Sequence, residues 1–495
     1  MKRPSLSHFG PTLFLALALL TGCATNPVTG EKNLSLMSEQ KEIALGKKNH
    51  PQILKQYGRY DGEALQSYVN GIGQDLVKRG HRTHLKYTFT VLDSPEVNAF
   101  ALPGGYIYIT RGIMAYINSE AELAAVLGHE LGHVTARHGV QQYSKALATS
   151  IGMTLAAIFM PELQNDISQQ LMNVLGNAIL SGYGREHELE ADRLGAEYLA
   201  RTGYEPGAMI DVIGILKNQE GFEKERAKKE GREPRVYHGV FASHPSTDRR
   251  LQQVVGAANK YKTSGSRPGR INRGRYLAKL NGVVFGDSVK EGIRRDNRFY
   301  HAGLGFGLTF PKGWRIENRQ DSLLAISPKR DAVIEMRMKP LNKKKKISPS
   351  AFLRQKLKVR KPRNEITLGG TTLKNVSAIV RGTTPFGRRD IRLSVVYFGD
   401  KAYIFRGAAR ANKQLKEFDP LFLKNAASLH TLTAVEHKLA AGLVIRIHTV
   451  NKRDRFARIA ASSPIPNYPE RILRLINGKY PHGEPEVGEK IKVVH

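Results

Sequence analysis

Two histidines four residues apart, His129 and His133, stand in the run His129-Glu130-Leu131-Gly132-His133, and no feature of this 495-residue chain restricts its fold more. Four residues are about one turn of an α-helix, so both imidazoles leave one face and can share one cation only if the stretch is helical. A catalytic zinc ion keeps three side-chain ligands and one open position. A second segment must therefore carry a third donor to that face, and the chain offers His187-Glu188-Leu189-Glu190-Ala191-Asp192. Glu188 is the candidate third ligand. Asp192, one turn further on the same face, is placed to hold a ligand histidine by its other ring nitrogen. Glu130 is the candidate proton carrier, taking a proton from water at the metal and delivering it to a leaving amine. Glu186 and Glu190 fall on other faces and read as solvated helix carboxylates, while His138 and His187 lack ligand spacing and read as structural or supporting groups.

Local signals fit this demand. Ser119 and Glu122 stand three apart before an apolar run, which predicts a capped helix carrying Leu123, Val126, Leu127 and Leu131 and continuing past Arg137. Tyr87, Phe89 and Val91 alternate with polar residues and meet a turn at Asp93-Ser94-Pro95; the partner strand of a hairpin is predicted at Tyr106–Thr110, with Gly104-Gly105 supplying the turn. Helical spacing covers the segment from Glu39 to Lys78, and a further helix is predicted from near Tyr183 to beyond Leu199. Residues 146–160 carry no charge but fall short of the roughly 20 residues a spanning helix needs, so a buried or membrane-facing hairpin is expected there.

The His-Glu-x-x-His helix, the Glu-x-x-Ala-Asp helix and the preceding Asn98-Ala99-Phe100-Ala101-Leu102-Pro103-Gly104-Gly105 resemble the gluzincin family of the CAAX prenyl endopeptidase and the HtpX heat-shock protease, over about residues 40–260. The resemblance implies one Zn2+ held by His129, His133 and Glu188, with Glu130 as general base and acid and Asp192 behind a ligand. It also implies that Asn98, Ala99, Phe100, Gly104 and Gly105 lie on an edge that binds an extended polypeptide by β-augmentation. In the periplasmic lipoprotein branch, a segment similar to His244-Pro245-Ser246-Thr247-Asp248-Arg249-Arg250 places its histidine, here His244, on the open zinc position, which implies self-inhibition. No clear oxyanion donor stands out; Tyr183 and Arg250 flank the motifs and are the remaining candidates.

The N-terminus sets the compartment. Lys2 and Arg3 precede the apolar run Leu13–Leu20, the layout of an export signal with too short a core to span a membrane. Leu20-Thr21-Gly22-Cys23 resembles a bacterial lipobox, so residues 1–22 are expected to be removed and Cys23 lipidated. Cys23 is the only cysteine, which excludes intramolecular disulfides and cysteine-based metal sites. Ala24 after it resembles lipoproteins sorted to the Gram-negative outer membrane, so the expected location is its periplasmic face.

Charge divides the chain. Residues 1–260 hold 28 basic and 26 acidic side chains, net +2, whereas residues 261–495 hold 49 and 18, net +31. The expected fold is multidomain: a mainly α, zincin-like metallopeptidase domain with a small β-sheet over 23–262, a linker over 263–300, an α+β sandwich over 301–434 and a small βααβ module over 435–495. The third region is similar to PsbP or Mog1-like sandwiches, and the module is similar to LysM domains that bind peptidoglycan. This half departs from the quality-control protease of the lipoprotein branch, whose downstream region is a helical repeat. Its basic charge fits peptidoglycan, anionic lipid or lipopolysaccharide as partners; nucleic acid is excluded for an exported chain. The reading is a zinc metalloendopeptidase of the envelope acting on misfolded or stalled proteins. Two alternatives stay open: a non-proteolytic outer-membrane assembly factor or chaperone, and a peptidoglycan-bound processing protein. Oligomeric state has no signature in the sequence.

Overall fold

The computed structural model describes residues 23–30, 32–35, 37–145, 183–230, 234, 250, 253, 255–256, 268–319, 321–342 and 347–495. The leader 1–22, the uncharged stretch 146–160 and His244 lie outside them. The chain forms two compact units, one from Met1–Val283 with Ile445–His495 and one from Val284–Val444.

In the first unit, α1 (Glu39–Tyr57) starts where the Ser38 hydroxyl accepts from the Lys41 amide. The stripe Leu65, Val69, Ile72 and Leu76 buries one face of α2 (Glu63–Arg79). A three-stranded sheet follows, with β1 (Thr88–Leu92) and β2 (Ala99–Leu102) flanking β3 (Tyr106–Thr110). The expected hairpin is corrected here: β1 runs parallel to β3, and it is β2 that pairs antiparallel with β3 around Gly104-Gly105. The alternation of Tyr87, Phe89 and Val91 fixes a strand but not its direction of pairing. Both turn glycines have positive φ, 82° and 95°, and a Cβ on Gly104 would sit 2.8 Å from the Ile43 Cα. After the short α3 (Arg111–Tyr116), α4 (Glu120–Thr135) has every residue buried, as expected of a helix at the centre of a domain. Across it lies α5 (Arg185–Thr202), followed by α6 (Ala208–Lys229) and α7 (Arg273–Leu280).

Three details of α4 depart from the sequence reading. The Ser119 hydroxyl accepts from the Glu122 amide at 3.1 Å as expected, but the Glu122 carboxylate accepts from the amide of Asn118, one residue earlier, at 2.6 Å. The helix stops at Thr135, because Arg137 takes a left-handed φ of 60° before helix resumes over 138–145. Finally, residues expected as linker contain α7, whose preceding Asn272 donates to Glu120 at 2.7 Å.

The last residues of the first unit form the expected βααβ order, β4 (Leu443–Thr449), α8 (Phe456–Ala461), α9 (Pro469–Ile476) and β5 (Lys490–Val494), with β4 and β5 antiparallel. Lys492 of β5 is fully buried and donates to the carbonyls of Ala115 and Ile117 at 2.7 Å each, just ahead of α4.

The second unit is built on a seven-stranded antiparallel sheet. Side chains alternate across it: Tyr403 and Phe405 join Trp314 and Phe422 on one face, while Ala402 and Ile404 join Phe352 and Leu353 on the other. Helices Leu415–Ala427 and Pro349–Gln355 supply Phe422 and Phe352 to those faces. The chain is thus a helical domain with a small sheet plus a separate β-rich region. Among the described residues, no helix is long and apolar enough to cross a membrane.

Candidate metal centre

The site exists because α4 and α5 cross closely. Gly128 and Gly132 on α4 face Gly195 and Ala191 on α5; a Cβ on Gly132 would lie 3.1 Å from the Ala191 Cα and carbonyl oxygen, and one on Gly195 3.2 Å from the His129 amide nitrogen. Side chains that small let the backbones approach until one turn of α4 meets the first turns of α5. His129 and His133 then stand opposite Glu188 and Asp192, all four buried.

The donor atoms converge. His129 Nε2 and His133 Nε2 are 3.1 Å apart, and they lie 3.5 Å from Oε2 and from Oε1 of Glu188, respectively. Ligand atoms at about 2.1 Å from a tetrahedral zinc ion are roughly 3.4 Å from one another, so the triangle is of the right size and carries one carboxylate and two imidazoles. Among the described residues, this is the group of histidine and acidic side chains able to hold a metal ion.

Behind the donors, His129 Nδ1 lies 2.9 Å from Asp192, which the Arg250 guanidinium grips with two bonds of 2.8 and 2.7 Å while a third nitrogen reaches Glu188 at 3.1 Å. Arg250 is therefore turned toward the carboxylates rather than toward an oxyanion. Burial opposes charge on the His129 ring, but the bonds to Asp192 and Glu188 outweigh it and lift its pKa to about 10. A divalent cation at Nε2 would supply that positive charge in place of the proton. Burial also opposes the Asp192 charge, yet the bonds from Arg250 and His129 hold its pKa below the usual carboxylate range.

On the other side of the triangle, Tyr183 stacks on His133, with ring centroids 3.9 Å apart. Burial, then the charges of Glu130 and Glu188, raise the Tyr183 pKa and keep its hydroxyl a donor. His133 Nδ1 meets His138 Nδ1 at 2.9 Å, and His138 Nε2 meets Glu190 at 3.1 Å. Glu190 is thus a partner of the site, which corrects its reading as a solvated carboxylate. The break at Arg137 explains the error: in a continuous helix, positions five apart point away from each other.

Glu130 is buried on α4 and lines a small cavity of about 30 Å³ together with Ala99, Val126, Met209 and Leu216. Strand β2, which begins at Ala99, is an edge of its sheet. Of the five residues expected on the substrate edge, Ala99 and Phe100 are in β2, Asn98 precedes it, and Gly104 and Gly105 form the turn to β3.

The family model of peptidase family M48 matches residues 63–258. These residues form an M48 domain. The segment carries every donor described above. The chain is similar to the beta-barrel assembly-enhancing protease of Escherichia coli (strain K12), 27% identical over 255 residues, which are 50% of each chain. It is also similar to the protein of that name from Yersinia pestis, 27% identical over 243 residues, 48% of each chain. A third relative is the mitochondrial metalloendopeptidase OMA1 of Schizosaccharomyces pombe, 27% identical over 235 residues, 46% of this chain and 64% of that one. The chain spans about half the length of the bacterial relatives it matches.

His138, read as a structural or supporting group, stands behind His133, whereas the sequence reading missed Glu190 as a member of the site and Arg250 as the clamp on Asp192. Only the arginine had a signal, its place in the segment that begins at His244.

Proposed function

We propose that the chain is a zinc-dependent metalloendopeptidase of the bacterial envelope, tethered to the periplasmic face of the outer membrane through a lipidated Cys23 and acting on misfolded or stalled envelope polypeptides. The observation that carries the reading is the donor triangle of His129, His133 and Glu188, with Asp192 and Arg250 behind it. Zinc held there supplies Lewis acidity for a substrate carbonyl and acidifies water. The residues of the chain supply the rest. Glu130 accepts a proton at its carboxylate and returns it to the leaving amine. Asp192 keeps His129 in the tautomer that leaves Nε2 available for the metal. The edge of β2 bonds an extended polypeptide main chain to main chain, so selectivity falls to side-chain pockets such as the cavity beside Glu130. His244 is the proposed self-inhibitory ligand, displaced before turnover. The basic second half, net +31, supports attraction to anionic envelope polymers, peptidoglycan included.

The name of the bacterial relatives, assembly-enhancing protease, favours a second reading in which assembly rather than cleavage is the main task. One experiment separates them: cleavage of casein by the mature chain at matched zinc content, for wild type, Glu130→Gln and His244→Ala. The expected result is a loss of about 10³-fold in Glu130→Gln with zinc retained, and a gain in His244→Ala. No cleavage by any form with zinc bound moves the function to assembly.

A further inference from the structure

We propose that Asn26, Glu190 and His138 form a chain of positioning residues that fixes the tautomer and orientation of His133 as a metal ligand, so that the segment just after Cys23 helps to hold the metal. The inference deepens the metalloendopeptidase reading and rests on His133 being a ligand.

Four observations carry it. First, the bonds are continuous and their polarity is forced. If His133 Nε2 is to donate electrons to a metal, its Nδ1 must carry the proton, and the group facing that proton is His138 Nδ1, 2.9 Å away. His138 Nδ1 must then accept, so its proton sits on Nε2, which meets a Glu190 oxygen at 3.1 Å. The other Glu190 oxygen accepts from the Asn26 amide at 3.1 Å. Reading outward from the metal position, each donor therefore has its acceptor.

Second, the chain bends to make the first bond. A left-handed φ of 60° at a non-glycine residue costs on the order of 1–2 kcal/mol, and Arg137 adopts it between the two histidines. The conformation is held from outside, by Glu42 bonded to Arg137 Nε at 3.0 Å and by the Met37 carbonyl at 2.9 Å. Strain retained against such a cost marks a geometry that the fold maintains for a purpose.

Third, the ring of His138 is fixed in its plane. It is fully buried, and His187 stacks on it with centroids 4.2 Å apart while bonding its own Nε2 to Gln141 at 3.1 Å. Fourth, Asn26 is buried, and its side-chain oxygen accepts from the amides of Val28 and Thr29 at 2.9 and 3.3 Å, so its amide nitrogen is held in place for Glu190. The arrangement mirrors the one at His129, whose Nδ1 leads through Asp192 to Arg250. Each imidazole is thus backed by a carboxylate, one directly and one through a second imidazole.

The test is metal retention, read without turnover. Full-length mature chain is loaded with Zn2+, and its transfer to an excess of a chromogenic chelator is timed for wild type, His138→Phe, Glu190→Gln, Asn26→Leu and the exposed control Glu186→Gln. Partners of this kind change metal affinity by about 10–100-fold, so His138→Phe and Glu190→Gln should release zinc at least 10-fold faster, Asn26→Leu severalfold faster, and the control at the wild-type rate. The visible spectrum of the Co2+-loaded chain supplies a readout that general loosening would not give, a changed ligand field in His138→Phe with the wild-type spectrum kept in Glu186→Gln. Wild-type release rates and spectra in both His138→Phe and Glu190→Gln overturn the proposal while leaving the peptidase reading intact. A wild-type chain that binds no zinc overturns both.

Discussion

The close crossing of α4 and α5 predicts that one methyl group at Gly132 separates two effects that usually travel together, helix propensity and metal affinity. Alanine in place of glycine inside a helix stabilises it by about 1 kcal/mol. Nothing lies within 4 Å of a Cβ built on Gly214 of α6, so Gly214→Ala should show that gain in full. At Gly132 the same methyl meets the Cα and carbonyl oxygen of Ala191 at 3.1 Å, backbone atoms that cannot rotate aside. Overpacking of this kind costs about 1–3 kcal/mol, so Gly132→Ala should be less stable than Gly214→Ala by roughly that amount. The helices must part by a few tenths of an ångström. His129 and His133 share α4 and keep their spacing, but Glu188 rides on α5, so both of its 3.5 Å edges lengthen. Zinc affinity should fall about tenfold, equivalent to about 1.4 kcal/mol. Hydrogen exchange of α4 amides in the chelated full-length chain measures the first effect, and competition with a chelator measures the second. Equal protection of the two variants, with zinc affinity unchanged, would refute the claim that the helix seam sets the site.

Three more predictions follow from buried charges. Burial depresses the His187 pKa from 6.5 to about 4, so between those values the unfolded chain binds a proton that the folded chain refuses. Stability of the chelated protein should therefore drop as pH falls through that window, by roughly 1–2 kcal/mol once partial exposure is allowed for, and His187→Gln should flatten the profile in a pH-resolved melting series. Arg250→Met strands the Asp192 and Glu188 carboxylates and should cost about 3–5 kcal/mol without metal but clearly less with zinc bound; equal melting losses in the two states would disprove the compensation. Lys492 faces the Glu122 charge at the start of α4, and burial drives its pKa down while that of Glu122 is pushed up to about 7, chiefly by burial. In a double-mutant cycle, Lys492→Met and Glu122→Gln should couple by at least about 1 kcal/mol, and strict additivity would show that they do not interact.

How legible the molecule was in its sequence depended on the range of the interaction. Ser119 with Glu122, the spacing of His129 and His133, and the βααβ order of the last module are local patterns with a fixed period, and the structure follows them closely. Periodicity carries no information about strand direction, which is why Thr88–Leu92 and Tyr106–Thr110 were expected as a hairpin and are parallel. Nor does it reveal a bend held from outside: the left-handed turn at Arg137 is bonded to Glu42, 95 residues earlier, and it brings His138, read only as a structural or supporting group, against His133. Glu190 belonged to the site for the same reason. Its partners, His138 and Asn26, come from segments 52 and 164 residues away.

The first unit is discontinuous in sequence, and this has a consequence for synthesis. Translation completes the M48 segment long before Lys492, because the whole Val284–Val444 unit is made in between. Until residues 445–495 emerge, the carbonyls of Ala115 and Ile117 lack their lysine and Glu122 lacks its counter-charge, all within one turn of the metal helix. A nascent chain would therefore carry its His-Glu-x-x-His helix without this brace until residues 445–495 are made.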